Sequence, residues 1–191
     1  MSGNSYLALF GASRTASDGA LILYDRLWHN SGMSITQTTA QTINSVAWPA
    51  RDDNGATDGE GVMVGIEVSS ATTNVSPITT TTMSYTNQAG TAGRTATMAS
   101  FPATAAVGTF VPFDLAAGDT GVRSIQTFTN GTSRVSGTQH LVAYREIAQL
   151  QIGNGTWNGD RLDAVSGGFP RLWDNTVPCL LWWPDDTTAV T

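Results

Sequence analysis

The sequence predicts an all-β protein: a single domain of the β-sandwich or jelly-roll type, with at most one short helix near the N-terminus. Apolar side chains recur at every second residue in several segments, which is typical of half-buried strands. Turn signals follow one another every ~8–12 residues, as they do in sandwiches and barrels. The predicted domain covers residues 1–191, and its segments 1–33 and 147–178 are candidate assembly arms.

The first element along the chain is ambiguous. The segment "GALILYDRLWHNSG" (19–32) places Leu23 and Leu27 at helical spacing, and Asp18 stands where it could cap a helix of about three turns. The same residues also suit a strand. The sequence therefore leaves a short helix and a strand as alternatives for this segment.

The clearest strand is "VMVGIEV" (62–68), where three valines and an isoleucine share one face and Met63, Gly65 and Glu67 share the other. This alternation predicts one buried and one more open face.

Residues 79–100 predict a β-hairpin. Met83 and Tyr85 alternate with threonine and serine in its first arm, and β-branched threonine suits a pleated surface. The loop "NQAGTAG" contains Gly90 and Gly93, which can supply the positive φ angles that such a loop needs. The phrases "AGTAGRT" and "AGDTGVRS" both place glycines in a turn and an arginine where the next strand begins, which indicates shared turn-and-strand chemistry.

Further strands are predicted toward the C-terminus at 109–115, 122–129, 140–146 and 179–184. The segment "HLVAYRE" (140–146) is apolar on both faces, so it either lies within a packed structure or meets another chain. Trp182 and Trp183 are adjacent, so on a strand they point to opposite faces. One of them can enter the core, and the other must find a second surface or be exposed.

Composition excludes several functions. The formal net charge is −6, and all nine basic side chains are arginines. An acidic, lysine-free chain is poorly suited to binding nucleic acid through phosphates, because that affinity comes from many Lys and Arg contacts. Without lysine there is no Walker A motif and no Schiff-base chemistry. No apolar run approaches the ~20 residues that span a bilayer, so no membrane partner is predicted.

No catalytic or cofactor motif is found. HExxH, CxxC and GxSxG are absent, and the lone Cys179 in "VPCLLWW" reads as a small buried hydrophobe. A Ser-His-Asp triad could be assembled from distant positions, but His140 is better explained as a hydrogen-bonded structural residue. We therefore predict a protein that is not an enzyme, with no catalytic residue and no cofactor.

The weak metal candidate is the acidic segment "RDDNGATDGEG" (51–61). It offers the oxygen ligands that Ca²⁺ prefers, although its spacing does not match an EF-hand loop. A solvated acidic turn is the alternative, and we predict no metal. The candidate ligands are Asp52, Asp53, Asp58 and Glu60.

Aromatic side chains are the candidate interface residues, because exposed aromatic residues are enriched at interfaces. Alternatively, tryptophans such as Trp157 and Trp173 could stack on sugar rings. The predicted interface residues are Trp28, Tyr144, Trp182 and Trp183.

Several phrases together resemble tailed-bacteriophage virion structural proteins. They are "SYTNQAGTAGRT", "AGDTGVRSIQTFT" and "GFPRLWDNTVPCLLWWPDDTTA", with "LYDRLWHNSGMS" and "TTAQTINS" nearer the N-terminus. The similarity spans most of the chain and consists of turn and strand phrases. The resemblance implies capsid- or tail-associated structural material and carries over no active-site residue.

The resemblance and the composition together predict a decoration or cement protein on the outside of a phage head, made in the bacterial cytoplasm. Its expected partners are the major capsid protein or other virion proteins, and further copies of itself, with a homotrimer favoured. The alternatives are a structural role in the neck, tail or baseplate, and a carbohydrate-binding module for host attachment.

Overall fold

The computed structural model describes residues 4–13, 18–30, 32–153 and 159–184. This part of the chain is built from strands and contains no helix, which confirms the predicted all-β, sandwich-like class. No helix long and apolar enough to cross a membrane occurs among these residues. The strands are β1 (Ser5–Tyr6), β2 (Leu9–Ser13), β3 (Gly19–His29), β4 (Gln41–Thr42), β5 (Val62–Thr73), β6 (Thr82–Asn87), β7 (Arg94–Thr97), β8 (Thr104–Ala105), β9 (Phe110–Pro112), β10 (Val122–Thr129), β11 (Ser136–Ile152), β12 (Gly159–Asp163), β13 (Arg171–Leu172) and β14 (Pro178–Pro184).

The chain forms two compact units. The first combines Met1–Arg26 with Glu146–Thr191, and the second is Leu27–Arg145. The long strands β3 and β11 each contribute residues to both units. The first unit overlaps the segments 1–33 and 147–178 that were predicted to act as assembly arms, and that role stays a prediction.

The second unit is a sandwich of two sheets. One sheet has the strand order β4-β10-β6-β7, and the other places β5 between β11 on one side and β8 and β9 on the other. Both sheets contribute to one buried cluster, in which Ile66 of β5 lies with Met83 and Tyr85 of β6 and Phe128 of β10. Covering these apolar faces supplies the main driving force for the two sheets to pack.

The alternation predicted for "VMVGIEV" is confirmed. Its three valines and Ile66 are at most 1% exposed and belong to the core. On the opposite face, Gly65 lies under the ring of Phe110, and a Cβ atom added at Gly65 would stand only 2.4 Å from a ring carbon. Phe110 in turn meets Tyr144 edge-to-face, with 5.2 Å between the ring centroids. A glycine is therefore required where this aromatic pair crosses the strand.

The hairpin predicted at 79–100 is also confirmed. β6 and β7 pair antiparallel with Met83 opposite Ala96, and the loop between them has positive φ at Gly90 (82°) and Gly93 (73°). β6 pairs on its other side with β10, whose bounds match the predicted strand at 122–129. The predicted strand at 140–146 is the middle of β11.

The first unit is held by three antiparallel pairs: β14 with β3, β12 with β2, and β13 with β1. Its buried cluster is formed by Phe10, Ile147, Ala148, Leu150, Ile152 and Phe169. Trp182 of β14 packs against this cluster.

The structure resolves the ambiguity at residues 19–32: the short helix is wrong and the strand is correct, because this segment is β3. Leu23 and Leu27 do not share a buried helix face, since Leu23 packs on the cluster of the first unit and Leu27 belongs to that of the second. Pairing of β3 with the distant β14 satisfies its backbone in the extended form. This long-range partner overrides the local helical spacing.

The buried face of β5 gives a test of the sandwich core. Ile66→Ala should lower the free energy of unfolding by about 2–5 kcal/mol, because it removes a fully buried side chain and leaves a cavity. Val75→Ala is the control, since Val75 is 94% exposed and its loss should change stability by less than about 0.5 kcal/mol. Denaturant unfolding of both variants makes the comparison. Equal stabilities would contradict this packing.

Candidate functional site

The two glycine phrases meet at one carboxylate, that of Asp119 in "AGDTGVRS". The hairpin directs three donors to it: Tyr85 Oη at 2.5 Å, Asn87 Nδ2 at 2.7 Å and Arg94 Nε at 2.8 Å. The Tyr85 hydroxyl also accepts from the backbone N–H of Ala116 at 3.0 Å. Asp119 of one phrase and Arg94 of the other therefore belong to one polar network, which Tyr85 and Asn87 of β6 complete.

This network is electrostatically satisfied. The Asp119 side chain is 4% exposed, and that of Arg94 is 33% exposed. Hydrogen bonds from Arg94, Tyr85 and Asn87 lower the pKa of Asp119 to about 2. Its carboxylate lone pairs are engaged by three side chains, so the group is suited to joining two loops and not to acid–base chemistry.

The acidic segment 51–61 is organised by Asp52. Its buried carboxylate accepts hydrogen bonds from the backbone N–H groups of Asn54, Ala56 and Gly59, at 3.0, 2.7 and 3.0 Å. One side chain thus closes the whole loop, as Asp and Asn commonly do in turns. Asp52 is committed to the backbone around it.

The other three acidic candidates do not converge with Asp52 on one point. Asp58 pairs with Arg123 at 3.1 Å, and Asp53 lies 3.8 Å from Arg145. Burial raises the pKa of Asp53, against the lowering effect of Arg145. The described residues hold no group of three or more His, Cys, Asp or Glu side chains placed to bind a metal ion, and Glu60 joins none.

The aromatic interface candidates occupy different surroundings. Trp28 packs against the core of the second unit, with its ring centroid 5.4 Å from that of Trp48. Tyr144 lies against Phe110. Trp182 packs inward on the first unit, whereas Trp183 is 43% exposed. Of the four, Trp183 is the aromatic side chain most open to a partner.

Trp183 belongs to a strand at the margin of its sheet. Within the described residues, β14 pairs with β3 on one side and has no strand on the other. Leu180 on the same strand is 62% exposed, and prolines stand at both ends of β14. We call Pro178–Pro184 the β14 edge. It exposes two large apolar side chains on one short strand.

His140 is held by two strands and a loop. Its Nε2 lies 2.7 Å from the hydroxyl of Ser69, and its Nδ1 lies 3.0 Å from the backbone carbonyl of Asn30. A carbonyl only accepts, so the neutral ring carries its hydrogen on Nδ1 and accepts from Ser69 through Nε2. Thr138 shares the Ser69 hydroxyl at 2.8 Å. Sequence reasoning missed Ser69, because nothing local links two residues 71 positions apart.

The contacts of Ser69 with Thr138 and His140 link β5 to β11, and the Asn30 contact ties His140 to the residue after β3; such hydrogen bonds are the structural role expected of His140. An oriented imidazole beside a serine hydroxyl is also how a nucleophile and its base are arranged. Acyl transfer would further require donors aimed at a developing oxyanion.

A pocket of about 430 Å³ lies in the first unit beside Trp173. Asp174, Asn175 and Thr176 supply polar groups to its lining, and the guanidinium of Arg171 stacks 4.2 Å above the indole ring. The apolar part of the lining is Leu7, Leu23, Ile147, Leu172 and Pro178. Trp173, one of the two tryptophans named for sugar stacking, thus lines a pocket. Trp157, the other, lies outside the described residues.

Comparison with known proteins identifies no relative: no family model, no curated protein and no solved structure matches this chain. The class that the fold and its contacts define is therefore an all-β, sandwich-like protein with an exposed apolar strand edge.

The Asp119 network predicts a particular acid sensitivity. Because the pKa of Asp119 is lowered in the folded state to about 2, from 3.8, its stabilising contribution is present above pH ~4. That contribution is lost as the pH falls through 2. Asp119→Asn should therefore be less stable than the wild type at pH 6, and the difference should shrink toward zero near pH 2.

Unfolding free energies of both proteins, measured from pH 2 to pH 6, make this test. Asp58→Asn is the matched control, since it removes a carboxylate from an exposed ion pair worth at most about 1 kcal/mol. A difference between Asp119→Asn and wild type that did not change with pH would contradict the role of the ionised carboxylate.

Proposed function

We propose that this chain is a non-enzymatic structural protein of a tailed-phage virion, acting as a decoration or cement protein on the outside of the head. The observation that carries the proposal is the β14 edge, where Leu180 and Trp183 are exposed on a strand with one open side. Exposed tryptophan is enriched at interfaces, and Trp183 is the aromatic candidate most open to a partner. The resemblance of the turn phrases to virion structural proteins supplies the biological setting.

The distribution of polar groups supports this reading. Asp119 and Asp52 each accept three hydrogen bonds, and these bonds order the loops around them. Such a protein works by being rigid and by presenting a surface. Weak contacts from each subunit would add through symmetry, so that an oligomer binds the capsid more tightly than one copy does.

The charge of the chain fits an exterior position. A net charge of −6, with arginine as the basic side chain throughout, offers little to a DNA backbone. A protein facing packaged DNA would gain from positive charge. We therefore place the protein outside the head, with the neck, tail or baseplate as other virion positions of the same structural kind.

A second candidate function is attachment to a host glycan, and the Trp173 pocket favours it. Ligand pockets are mostly apolar and use a few polar groups to fix orientation, and this pocket has both kinds of lining. An indole beside Asp174 and Asn175 offers a stacking surface together with hydrogen-bonding groups for sugar hydroxyls.

The deciding experiment is co-sedimentation of the purified protein with intact phage heads on a density gradient, together with its free oligomeric mass. Saturable comigration at a fixed number of copies per head would support the capsid role. A soluble oligomer that does not comigrate would count against it and favour a tail or host-binding role.

The β14 edge predicts the effect of a single substitution. Trp183→Ala should weaken association by about 2 kcal/mol, or roughly 30-fold in Kd, because it truncates the exposed aromatic anchor. The monomer should stay folded, since this side chain is 43% exposed. Analytical ultracentrifugation and gradient binding measure the loss.

Val165→Ala is the matched control, because Val165 is 94% exposed in the same unit but lies outside the β14 edge. Trp182→Ala should instead destabilise the fold, since Trp182 packs inward. Unchanged association of Trp183→Ala would remove the β14 edge from the assembly surface.

The glycan alternative has its own test. If the pocket binds a saccharide, the wild type should give reproducible signals on a glycan array, and Trp173→Ala should lose them through loss of the stacking surface. Trp183→Ala should keep them, since Trp183 does not line the pocket. No signal above background from the wild type would count against host-glycan binding.

A further inference from the structure

The guanidinium of Arg134 is a buried cation that has no hydrogen-bonding partner in the described part of the chain. The residue is 2% exposed, and its guanidinium carbon lies 3.7 Å above the centre of the Phe101 ring. None of Nε, Nη1 and Nη2 has a hydrogen-bond partner among the described residues. The contact with Phe101 attracts the charge to one face of the guanidinium but leaves its five in-plane donors unused.

Two other buried polar side chains, Asn130 and Gln139, lie within five positions of Arg134 in the sequence. The Asn130 amide donates to the carbonyls of Ser34 and Gln37, at 2.7 and 3.1 Å, and accepts from the Gln139 amide at 2.7 Å. The backbone N–H of Arg134 itself donates to the Ile35 carbonyl at 2.9 Å. The Gln139 amide oxygen Oε1 also has no hydrogen-bond partner among the described residues, but Arg134 is the charged side chain of this segment.

The charge on Arg134 persists at neutral pH. Burial lowers the pKa of its guanidinium to about 10, because the charged form is desolvated. Proteins seldom bury a charge without a counter-charge, since desolvation is costly and a paired ion recovers part of that cost. An arginine held this way needs an anion at its edge.

We propose that Arg134 is the anchor of a binding site for a small oxyanion, a carboxylate or an inorganic phosphate. The guanidinium is a planar fork that bonds such groups through two parallel N–H donors. Phe101 covers its face and fixes its plane, so an anion is bound at the edge. This site is independent of the β14 edge and of the Trp173 pocket.

The guanidinium nitrogens of Arg134 are buried, so the proposal requires the turn between β10 and β11 to shift when an anion binds. Thr132, Ser133 and Val135 around Arg134 are exposed, with Val135 at 70%. The oxyanion is either free in solution or an Asp or Glu carboxylate of a second copy of this chain, which has 15 acidic residues. The chemistry of recognition is the same for both sources.

The test is thermal unfolding of the wild type and Arg134→Leu while sodium phosphate or sodium acetate is titrated at constant chloride. A ligand that binds only the folded state should raise Tm by roughly 3–5 °C for each tenfold increase above its Kd. Salt effects that do not involve Arg134 should change the Tm of both proteins equally, so the difference in Tm between them reports on the site. Arg123→Leu is the matched control, since it removes an exposed arginine, and it should keep the wild-type response.

Three outcomes decide the proposal. A rise in Tm with free anion that Arg134→Leu lacks supports the site and identifies a solution ligand. A rise with protein concentration alone, also lost in that variant, supports the site and identifies a carboxylate of a second copy. The proposal is overturned if the Tm of wild type and the Tm of Arg134→Leu respond identically to added anion and also respond identically to protein concentration.

A second measurement does not depend on the variant folding. Crystals of the wild type grown in sodium selenate should show an anomalous peak within hydrogen-bonding distance of the Arg134 guanidinium if a free oxyanion binds there. If Arg134→Leu does not fold, the wild type alone decides. The proposal is then overturned if the crystals show no such peak and the Tm rises with neither anion nor protein concentration.

Discussion

The structure of the second unit depends on covering the apolar face of β5. Four side chains at alternate positions of β5 are fully or almost fully buried, and exposing them to water would cost free energy. A second sheet therefore packs over this face. β6 and β10 supply the covering side chains, including Met83, Tyr85 and Phe128. Trp48 completes the cluster and remains satisfied, because its indole N–H donates to the Val122 carbonyl at 2.6 Å.

The polar chemistry follows from this packing. Tyr85 must bury its ring with the core, which brings its hydroxyl to the margin, where Asp119 and Arg94 complete the network. The packing of the Tyr85 ring therefore explains why a hydrogen-bond acceptor, Asp119 of "AGDTGVRS", is found at this place. Asp52 plays the same part in its own loop, where one carboxylate replaces three missing backbone partners. In both places one carboxylate accepts three hydrogen bonds, from side chains at Asp119 and from backbone N–H groups at Asp52.

How far the sequence predicts this molecule depends on the range of each interaction. The strands at 62–68 and 122–129 and the hairpin at 79–100 were predictable, because alternation and positive-φ glycines are local signals. β3 was not, since Leu23 and Leu27 suit either structure and the decision comes from β14. The Ser69–His140 contact joins positions 71 residues apart. Nothing near Arg134 in the sequence separates a buried arginine from an exposed one.

The form of the β14 edge favours one kind of assembly. Pro178 and Pro184 lack backbone N–H groups, so they limit the extension of the sheet by another strand, as prolines on edge strands commonly do. Side chains must then provide most of any contact. Leu180 and Trp183 stand three positions apart, so they project from opposite faces of the strand and meet different surfaces. If this strand mediates assembly through both faces, the contacts would be of the head-to-tail kind, and the rotation between neighbouring subunits would decide whether they close into a ring.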